Sequence, residues 1–320
     1  MDLPLLSGGR RLAWERLPAA VRQGLQARLG SPVVHAATQP GGFSPGLAAR
    51  LRLADGRRVF LKAAGPDPNP HTPALHRAEA RITAALPPTA PSPRLLWSYD
   101  RAGWVALAFA DIQGKLPTLP WQPDELQRVL EVVAELAPTL TPAPVAAPSI
   151  ATRLGAAFSG WHQLAAVAEH GRDDLAGLDP WARRHLDRLV ALEQVWPAAA
   201  AGRTLLHLDL RADNLLLTPS RVMVVDWPWA SIGAAWVDLL VLLPSVAGQG
   251  GPQPELLFGR HPVARGADPD AVTAVLAGLA GYLVHEARLP PPPGLPTLRA
   301  FQHRYSRPAL AWLRQRTGWP

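Results

Sequence analysis

The amino-acid sequence predicts an α+β protein of two lobes, a small β-rich N-terminal lobe and a larger, mostly helical C-terminal lobe. Alternating strand patterns with tight turns dominate up to about residue 106, and amphipathic helix patterns dominate after residue 117. Within the helical part, the stretch LLHLDLRADNLLL at 205–217 places polar residues at a turn between two leucine runs. Since unpaired polar groups are costly to bury, this turn predicts a functional site.

The elements of the N-terminal part follow from local signals. Residues 1–29 are predicted to be an N-terminal helical extension, with a helix over 12–29 that ends at Gly30. Three strands follow, separated by a glycine-rich turn at 41–44 and a hairpin turn at Asp55-Gly56. A helix over 74–86 and two strands joined at 100–103 complete the N-lobe, residues 30–106. Residues 107–116 are the expected hinge.

The C-terminal lobe, residues 117–320, is predicted to be mostly helical. One helix begins at Pro123, and others are predicted over 150–170, 180–196, 269–287 and 297–316, the last kinked or interrupted at Pro308. The pair Asp238-Leu239 opens another helix. A hairpin between 205 and 226 is the only strand-like segment expected here.

Composition excludes several classes of function. The 320 residues include no cysteine, which excludes disulfides, thiolate zinc sites and thiol nucleophiles. The longest apolar stretch, AAWVDLLVLLPSV, is broken by Asp238 and Pro244 and is too short to span a bilayer. We therefore expect a soluble, cytoplasmic protein without membrane contact. The sequence carries no signal for the oligomeric state.

The net charge of +7 is concentrated in the first part of the chain. Residues 1–119 contain 15 basic and 7 acidic residues, against 17 and 18 in residues 120–320. No basic run interleaved with aromatic residues occurs, so nucleic acid is not an expected partner. Only Lys62 and Lys115 of the 32 basic residues are lysines, which singles out both positions.

The turn between the leucine runs contains an ordered motif. His207 and Asp209 are followed by Asn214, and a strand then leads to Asp226. Upstream, Lys62 lies near the end of the third strand, and Glu79 lies in the helix after it. The order of His207, Asp209, Asn214 and Asp226 is the one used by the catalytic loops of kinases.

The chain resembles the aminoglycoside phosphotransferase family, a branch of the protein-kinase-like fold that phosphorylates hydroxyl groups of small molecules. The stretch DWPWASIGAAWVDLL strengthens the resemblance, which covers nearly all of residues 30–320. It implies ATP or GTP as donor, Mg²⁺ as cofactor and a hydroxylated small molecule as acceptor, with an aminoglycoside-like or other antibiotic expected. A kinase of a primary metabolite and a nucleotide-binding pseudokinase are the alternatives.

The resemblance also implies a role for each residue. Asp209 would accept or orient the hydroxyl proton of the acceptor, while Asn214 and Asp226 would hold Mg²⁺. Lys62 would contact the α- and β-phosphates, and Glu79 would fix its direction. Arg211 would offset charge on the transferred phosphoryl group. The remaining nucleotide contacts are predicted from Gly41, Gly42, Phe43, Ser44, Phe109 and Ala110.

Each of these residues, taken singly, could also have an ordinary structural role. Asp209 and Asn214 could form a simple turn, and His207 is expected to be a buried structural group. Lys62 could be a lysine of an edge strand whose charge extends to solvent. Glu79 could be a solvated helix charge and Arg211 a surface arginine. Two departures from the family pattern, Leu208 and Pro228, could reshape the acceptor side.

The acceptor is poorly determined by sequence. Only eleven residues separate Asp226 from Asp238, which argues against a peptide-binding protein kinase. A cationic antibiotic would need carboxylates, and a solvated loop accounts equally well for the candidate acids: Glu169, Asp173, Asp174, Asp179, Asp268 and Asp270. Tryptophans 227, 229 and 236 could stack on a sugar, although such residues are more often part of a core.

Overall fold

A computed structural model describes residues 11–39, 45–170, 175–293 and 295–320 of the chain. It confirms the α+β class, with an antiparallel N-terminal sheet and a helical C-terminal part. The predicted glycine-rich turn, Gly41, Gly42, Phe43 and Ser44, lies outside the described residues.

The N-lobe contains a five-stranded antiparallel sheet in the order β1-β2-β3-β5-β4. Its strands are β1 (Val33–Thr38), β2 (Leu47–Leu53), β3 (Arg58–Ala64), β4 (Leu95–Arg101) and β5 (Trp104–Ala110). Because β3 lies between β2 and β5, Lys62 is not on an edge strand. The strand β5 also extends through Ala110, so the first four residues of the expected hinge belong to the sheet.

The segment before the sheet contains less helix than predicted. A 3-10 helix spans Trp14–Arg16, and α1 spans Ala19–Leu29 and ends at Gly30, which has φ +71°. Pro18 lies between the two, at the start of α1, where proline is well tolerated. Trp14 and Leu25 are buried in the same core as the sheet, so this segment is an integral part of the N-lobe.

Helix α2 (Thr72–Ala85) packs against β3, β4 and β5. The helical spacing of apolar residues predicts that Leu75, Ile82 and Leu86 face inward. Ile82 is buried as predicted, whereas Leu75 and Leu86 are only partly buried. Glu79 also lies on the buried face. A charged residue on this face must find a partner inside the protein, because an unpaired buried carboxylate is costly.

The C-lobe packs around α10, which contacts α5, α7, α8 and α11. Its helices are α3 (Pro123–Thr139), α4 (Ile150–Leu154), α5 (Gly160–Glu169), α6 (Pro180–Arg184), α7 (Leu186–Ala199), α8 (Val237–Gly248), α9 (Pro254–Arg260), α10 (Pro269–Glu286) and α11 (Leu298–Thr317). The helix α9 was not predicted from the sequence.

Two predicted helices are divided and one predicted break is absent. The 150–170 segment turns at Phe158, whose φ/ψ is non-helical and whose ring packs on Trp196. The 180–196 segment is divided at His185. Helix α11 continues through Pro308, because buried Tyr305 and Trp312 on either side anchor it and outweigh one lost hydrogen bond.

Four short strands interrupt the helical lobe. They are β6 (Thr204–Leu206), β7 (Leu215–Leu217), β8 (Val222–Val224) and β9 (Ser231–Gly233). The strands β7 and β8 form the expected hairpin. The strand β6 pairs with β9, which was not predicted because three residues are too few to show an alternating pattern. A 3-10 helix, Ala212–Asn214, precedes β7. No helix among the described residues has the length and apolarity needed to cross a membrane.

Candidate active site

A cleft with a cavity volume of about 280 Å³ lies between the N-lobe sheet and the hairpin β7–β8. It brings together residues that are more than one hundred positions apart in the chain. The predicted residues that line it are Lys62, Glu79, Phe109, Ala110, Asn214 and Asp226. Asp209 and Arg211 lie in the adjoining loop, residues 207–214.

Lys62 joins the two lobes across this cleft. Its Nζ donates to Glu79 Oε1 and Oε2 at 2.8 and 3.0 Å and to Asp226 Oδ1 at 2.6 Å. Because strand side chains alternate between faces, Lys62 enters the cleft while Leu61 and Ala63 enter the core. The Lys62 and Glu79 side chains are only 15% and 2% exposed, so neither is a solvated surface charge.

Burial and charge act against each other in this cluster. Burial favours neutral Lys62, but the carboxylates of Asp226 and Glu79 outweigh it and raise the pKa of Lys62. Burial also acts to raise the pKa of Asp226, yet the Lys62 ammonium holds that pKa below its usual range. At Glu79 burial prevails, and its pKa is raised. Lys62 and Asp226 are therefore a charged pair at neutral pH.

The 207–214 loop is held by two buried groups. Asp238, in the first turn of α8, accepts hydrogen bonds from the backbone N–H groups of His207 and Leu208, both at 2.8 Å. His207 accepts from Asp209 N at Nδ1, 3.2 Å, and donates from Nε2 to Val225 O, 3.0 Å. Burial lowers the pKa of His207 to about 4, so the ring is neutral and uses one nitrogen as donor and one as acceptor.

Two residues around the loop have a left-handed backbone without being glycine. Leu208 has φ +63° and Asp226 has φ +72°. Such conformations cost free energy and persist only where surrounding contacts hold them. The bond from Leu208 N to Asp238 and that from Lys62 to Asp226 Oδ1 provide these contacts.

Asp209 lies at the mouth of the loop with its side chain 26% exposed. Asn214 Nδ2 donates to Asp209 Oδ2 at 3.0 Å and to Asp209 O at 2.8 Å, which fixes the orientation of the carboxylate. Burial raises the pKa of Asp209 to about 7, although the Arg211 guanidinium acts in the opposite direction. A carboxylate with a pKa near neutrality is suited to general-base chemistry.

Arg211 is not a surface arginine, since its side chain is 12% exposed. It binds both oxygens of Asp213, at 3.0 and 2.9 Å, and its Nη1 lies 3.5 Å from Asp209 Oδ1. Its guanidinium also lies 5.0 Å from the ring centre of Phe301 in α11. These contacts place a permanent positive charge beside Asp209.

Asn214 and Asp226 form a donor set that fits Mg²⁺. Val225 N donates to Asn214 O at 3.0 Å, which holds the two residues side by side on the hairpin. Because Asn214 turns its NH₂ group toward Asp209, its amide oxygen lies on the other side of the amide. Amide and carboxylate oxygens are the ligands that this hard cation prefers. The described residues contain no cluster of three or more acidic or imidazole ligands, and Mg²⁺ held partly by substrate phosphates requires none.

The opposite end of the cleft is apolar and is closed by an ion pair. Phe60 of β3 and Leu216 of β7 line it from the two lobes. Arg50 of β2 donates to Ile112 O at 2.6 Å and lies 3.2 Å from Asp111. An apolar slot next to the hinge segment suits a planar base.

Some of the candidate acceptor residues have structural contacts. Asp179 and Asp268 accept backbone N–H groups at the starts of α6 and α10, which accounts for both without a ligand. Glu169 and Asp270 are exposed, and Asp173 and Asp174 lie outside the described residues. Of the three tryptophans, 227 and 236 are buried, and Trp229 is 39% exposed.

The residues of the site that were not predicted as such include Asp238, Arg50 and Arg11. Asp238 was recognised only as part of a helix-opening pair, and its role as an anchor depends on tertiary packing. Arg50 was not recognised as a site residue, because no local sequence pattern distinguishes it from the other arginines of this arginine-rich chain. Arg11 lines the cleft although it precedes the sheet by more than twenty residues.

Comparison with known proteins shows the family to which the chain belongs. The chain matches the phosphotransferase enzyme family over residues 41–274, which is most of its length, and it therefore belongs to this family. No curated protein matches the chain significantly.

Solved structures of several small-molecule kinases have the same fold. A thermostable mutant of aminoglycoside phosphotransferase APH(4)-Ia, in ternary complex with AMP-PNP and hygromycin B, has a TM-score of 0.62 at 15% identity, covering 93% of this chain and 98% of that one. A choline/ethanolamine kinase family protein from Mesorhizobium loti has a TM-score of 0.60 at 16% identity, covering 94% and 95%. A putative fructosamine-3-kinase from Haemophilus somnus has a TM-score of 0.57 at 16% identity, covering 92% and 95%.

Proposed function

We propose that the protein transfers the γ-phosphoryl group of ATP, with Mg²⁺, to a hydroxyl group of a small molecule. In this proposal the donor lies between the N-lobe, residues 30–106, and the C-lobe, residues 117–320, next to the segment 107–116. The acceptor lies on the Asp209 side of the 207–214 loop. The donor chemistry is supported by the similar structure that holds AMP-PNP.

One observation carries this proposal: groups of opposite charge from two lobes meet in one cleft beside an anchored carboxylate. Lys62 and Glu79 come from the N-lobe and Asp226 from the C-lobe, and both carboxylates lie within 3.0 Å of Lys62 Nζ. Phosphoryl transfer requires mainly positioning and charge neutralisation, which this arrangement supplies. When bound, Mg²⁺ would neutralise phosphate charge, with Asn214 and Asp226 as its protein ligands.

Asp209 is proposed as the group that receives the hydroxyl proton. Its amide-fixed carboxylate and a pKa near 7 favour this role. Arg211 would offset developing charge on the transferred group from its position beside Asp209. His207 takes no proton in this scheme, because both of its ring nitrogens are used in holding the loop.

Antibiotics with hydroxyl groups, including aminoglycosides, are the first acceptor class to test. Two of the candidate acids for binding a cationic antibiotic, Asp179 and Asp268, serve as helix caps. This observation favours metabolite alcohols and sugars as a second class, which the choline/ethanolamine and fructosamine kinase-like neighbours also represent.

The test is a screen of the full chain with Mg²⁺ and ATP against both classes of acceptor. The expected result is acceptor-dependent ADP release together with a mass gain of one phosphoryl group on the acceptor. The chain offers a matched pair of lysines for the control. Lys62→Met should remove transfer, whereas Lys115→Met should not, because Lys115 is 67% exposed and pairs with Glu125 outside the cleft. ATP binding without transfer to any hydroxyl would support the pseudokinase alternative instead.

A further inference from the structure

Arg11 belongs to the segment before the N-lobe sheet, yet it is part of the cleft lining. Its backbone forms a parallel bridge with Gly46, and Leu12 N donates to Gly46 O at 2.9 Å. Gly46 directly precedes β2, and a Cβ there would lie 2.5 Å from Ala63 O. Since Ala63 follows Lys62, this close packing places Arg11 at the Lys62 end of the cleft.

The charges near Arg11 confirm its position within the site. Asp226 and Asp213 both attract the Arg11 guanidinium, although burial is the larger influence and lowers its pKa from the usual value. An arginine remains protonated at neutral pH because its ordinary pKa is above 12. Arg11 therefore brings a permanent positive charge next to the carboxylate proposed to hold Mg²⁺.

The charge balance of the cleft shows why such a cation would be useful. Lys62, Glu79 and Asp226 together carry a net charge of −1 when all three are ionised. The triphosphate of a bound nucleotide is strongly anionic, and one Mg²⁺ offsets only part of its charge. A planar guanidinium can bind phosphate oxygens through two parallel hydrogen bonds, which an ammonium cannot.

We propose that Arg11 is a nucleotide-binding residue whose guanidinium contacts phosphate oxygens of the donor nucleotide. This assignment rests on the proposed function of the cleft and adds the segment before the sheet to the donor site. Arg50 lines the same cleft but binds the hinge carbonyl Ile112 O, at the end away from Lys62. The two arginines should therefore affect different parts of the nucleotide.

The experiment compares Arg11→Gln, Arg50→Gln and Arg16→Gln in the full chain by calorimetry with ATP, ADP, AMP and adenosine. Arg16 lies in the same N-terminal segment and is exposed, which makes it a matched control. Arg11→Gln should weaken ATP binding by about tenfold or more, with a smaller loss for each phosphate removed and none for adenosine. Arg50→Gln should weaken all four ligands by a similar factor, and Arg16→Gln none.

The possible results distinguish the assignment of Arg11 from the proposed function of the cleft. Equal losses for ATP and adenosine in Arg11→Gln, or unchanged or tighter ATP binding, would overturn the assignment while the nucleotide site itself stands. Absence of ATP binding by the unsubstituted protein would overturn the proposed function as well. If the glutamine variant unfolds, Arg11→Lys is measured in its place. This variant keeps the positive charge but loses the planar geometry of the guanidinium. It should therefore bind ATP less tightly than the parent protein does and bind adenosine with the same affinity. Equal ATP affinity of parent and Arg11→Lys would contradict binding through the guanidinium geometry.

Discussion

On the N-lobe side of the cleft, Lys62 and Glu79 are held by opposite charges, and the contacts extend across to Asp226. On the C-lobe side, the 207–214 loop is held by backbone hydrogen bonds to Asp238 and His207. Ion pairs can exchange partners when Mg²⁺ and phosphate enter, whereas a backbone anchored by buried hydrogen bonds keeps its geometry. We therefore expect the proposed donor side to rearrange when ligands bind and the proposed acceptor side to keep its geometry.

The largest expected effect comes from the residue that links the two sides. Asp226→Asn keeps a side chain that tolerates the φ of +72° but removes the negative charge. Mg²⁺-dependent transfer should fall to background, measured as initial rate over a series of Mg²⁺ concentrations. Asn214→Ala should lower the rate less, since it supplies a neutral oxygen. Undiminished transfer by the parent protein in a chelator would rule out this metal scheme.

A second substitution tests the fixed side. Asp238→Ala leaves two buried backbone N–H groups without their acceptor, which should lower the free energy of unfolding by about 2–5 kcal/mol. The measurement is denaturant unfolding together with the transfer rate. Asp187→Ala is the matched control, because Asp187 is also in the first turn of a helix, α7, but is exposed. Equal stability of the two variants would show that Asp238 does not anchor the loop.

The pH dependence of transfer sharpens the comparison further. Because the folded-state pKa of Asp209 is raised to about 7, the base is protonated below this pH, and kcat/KM should rise with pH and level off above about 7. Arg211 lowers that pKa, so Arg211→Gln should move the rising limb to higher pH. Arg203→Gln, at an exposed position, should leave it in place. A rising limb that moves to lower pH in Arg211→Gln would contradict the electrostatic pairing of Arg211 with Asp209.

The smallest effect is expected at the acceptor side. Trp229 is 39% exposed, three positions after Asp226, and lies 5.9 Å from the Arg153 guanidinium. Trp229→Ala should raise the KM for a sugar-like acceptor about two- to tenfold and leave nucleotide affinity unchanged. Trp229→Phe should retain most of the affinity. An unaltered KM for every accepted substrate would exclude stacking at this residue.

Sequence reasoning located the five strands of the N-lobe and the order of the cleft residues, because each depends on local periodicity and spacing. The motif residues Lys62, Glu79, Asn214 and Asp226 indeed line one cleft. The interruptions of helices were less predictable from the sequence. Whether Pro308 breaks α11 depends on the burial of Tyr305 and Trp312 against other helices, which the local pattern does not contain.

Residues whose place is set by distant contacts could not be found from spacing. Arg11 enters the cleft only because its backbone pairs with Gly46, a contact between segments thirty-five positions apart. The buried, paired state of Lys62 likewise depends on β3 lying in the middle of the sheet. A lysine of this type on an edge strand would have the same sequence neighbours and a solvated charge.

The central claim is that the donor side binds the nucleotide and that Asp209, on the fixed side, serves the acceptor. The most direct test measures both in Asp209→Asn, which preserves shape and an acceptor oxygen for Asn214 Nδ2. Nucleotide affinity by calorimetry should be retained, and transfer, followed by mass gain of the acceptor, should fall by about 10²–10⁴-fold. Joint loss of binding and transfer, or transfer at the parent rate, would contradict the account.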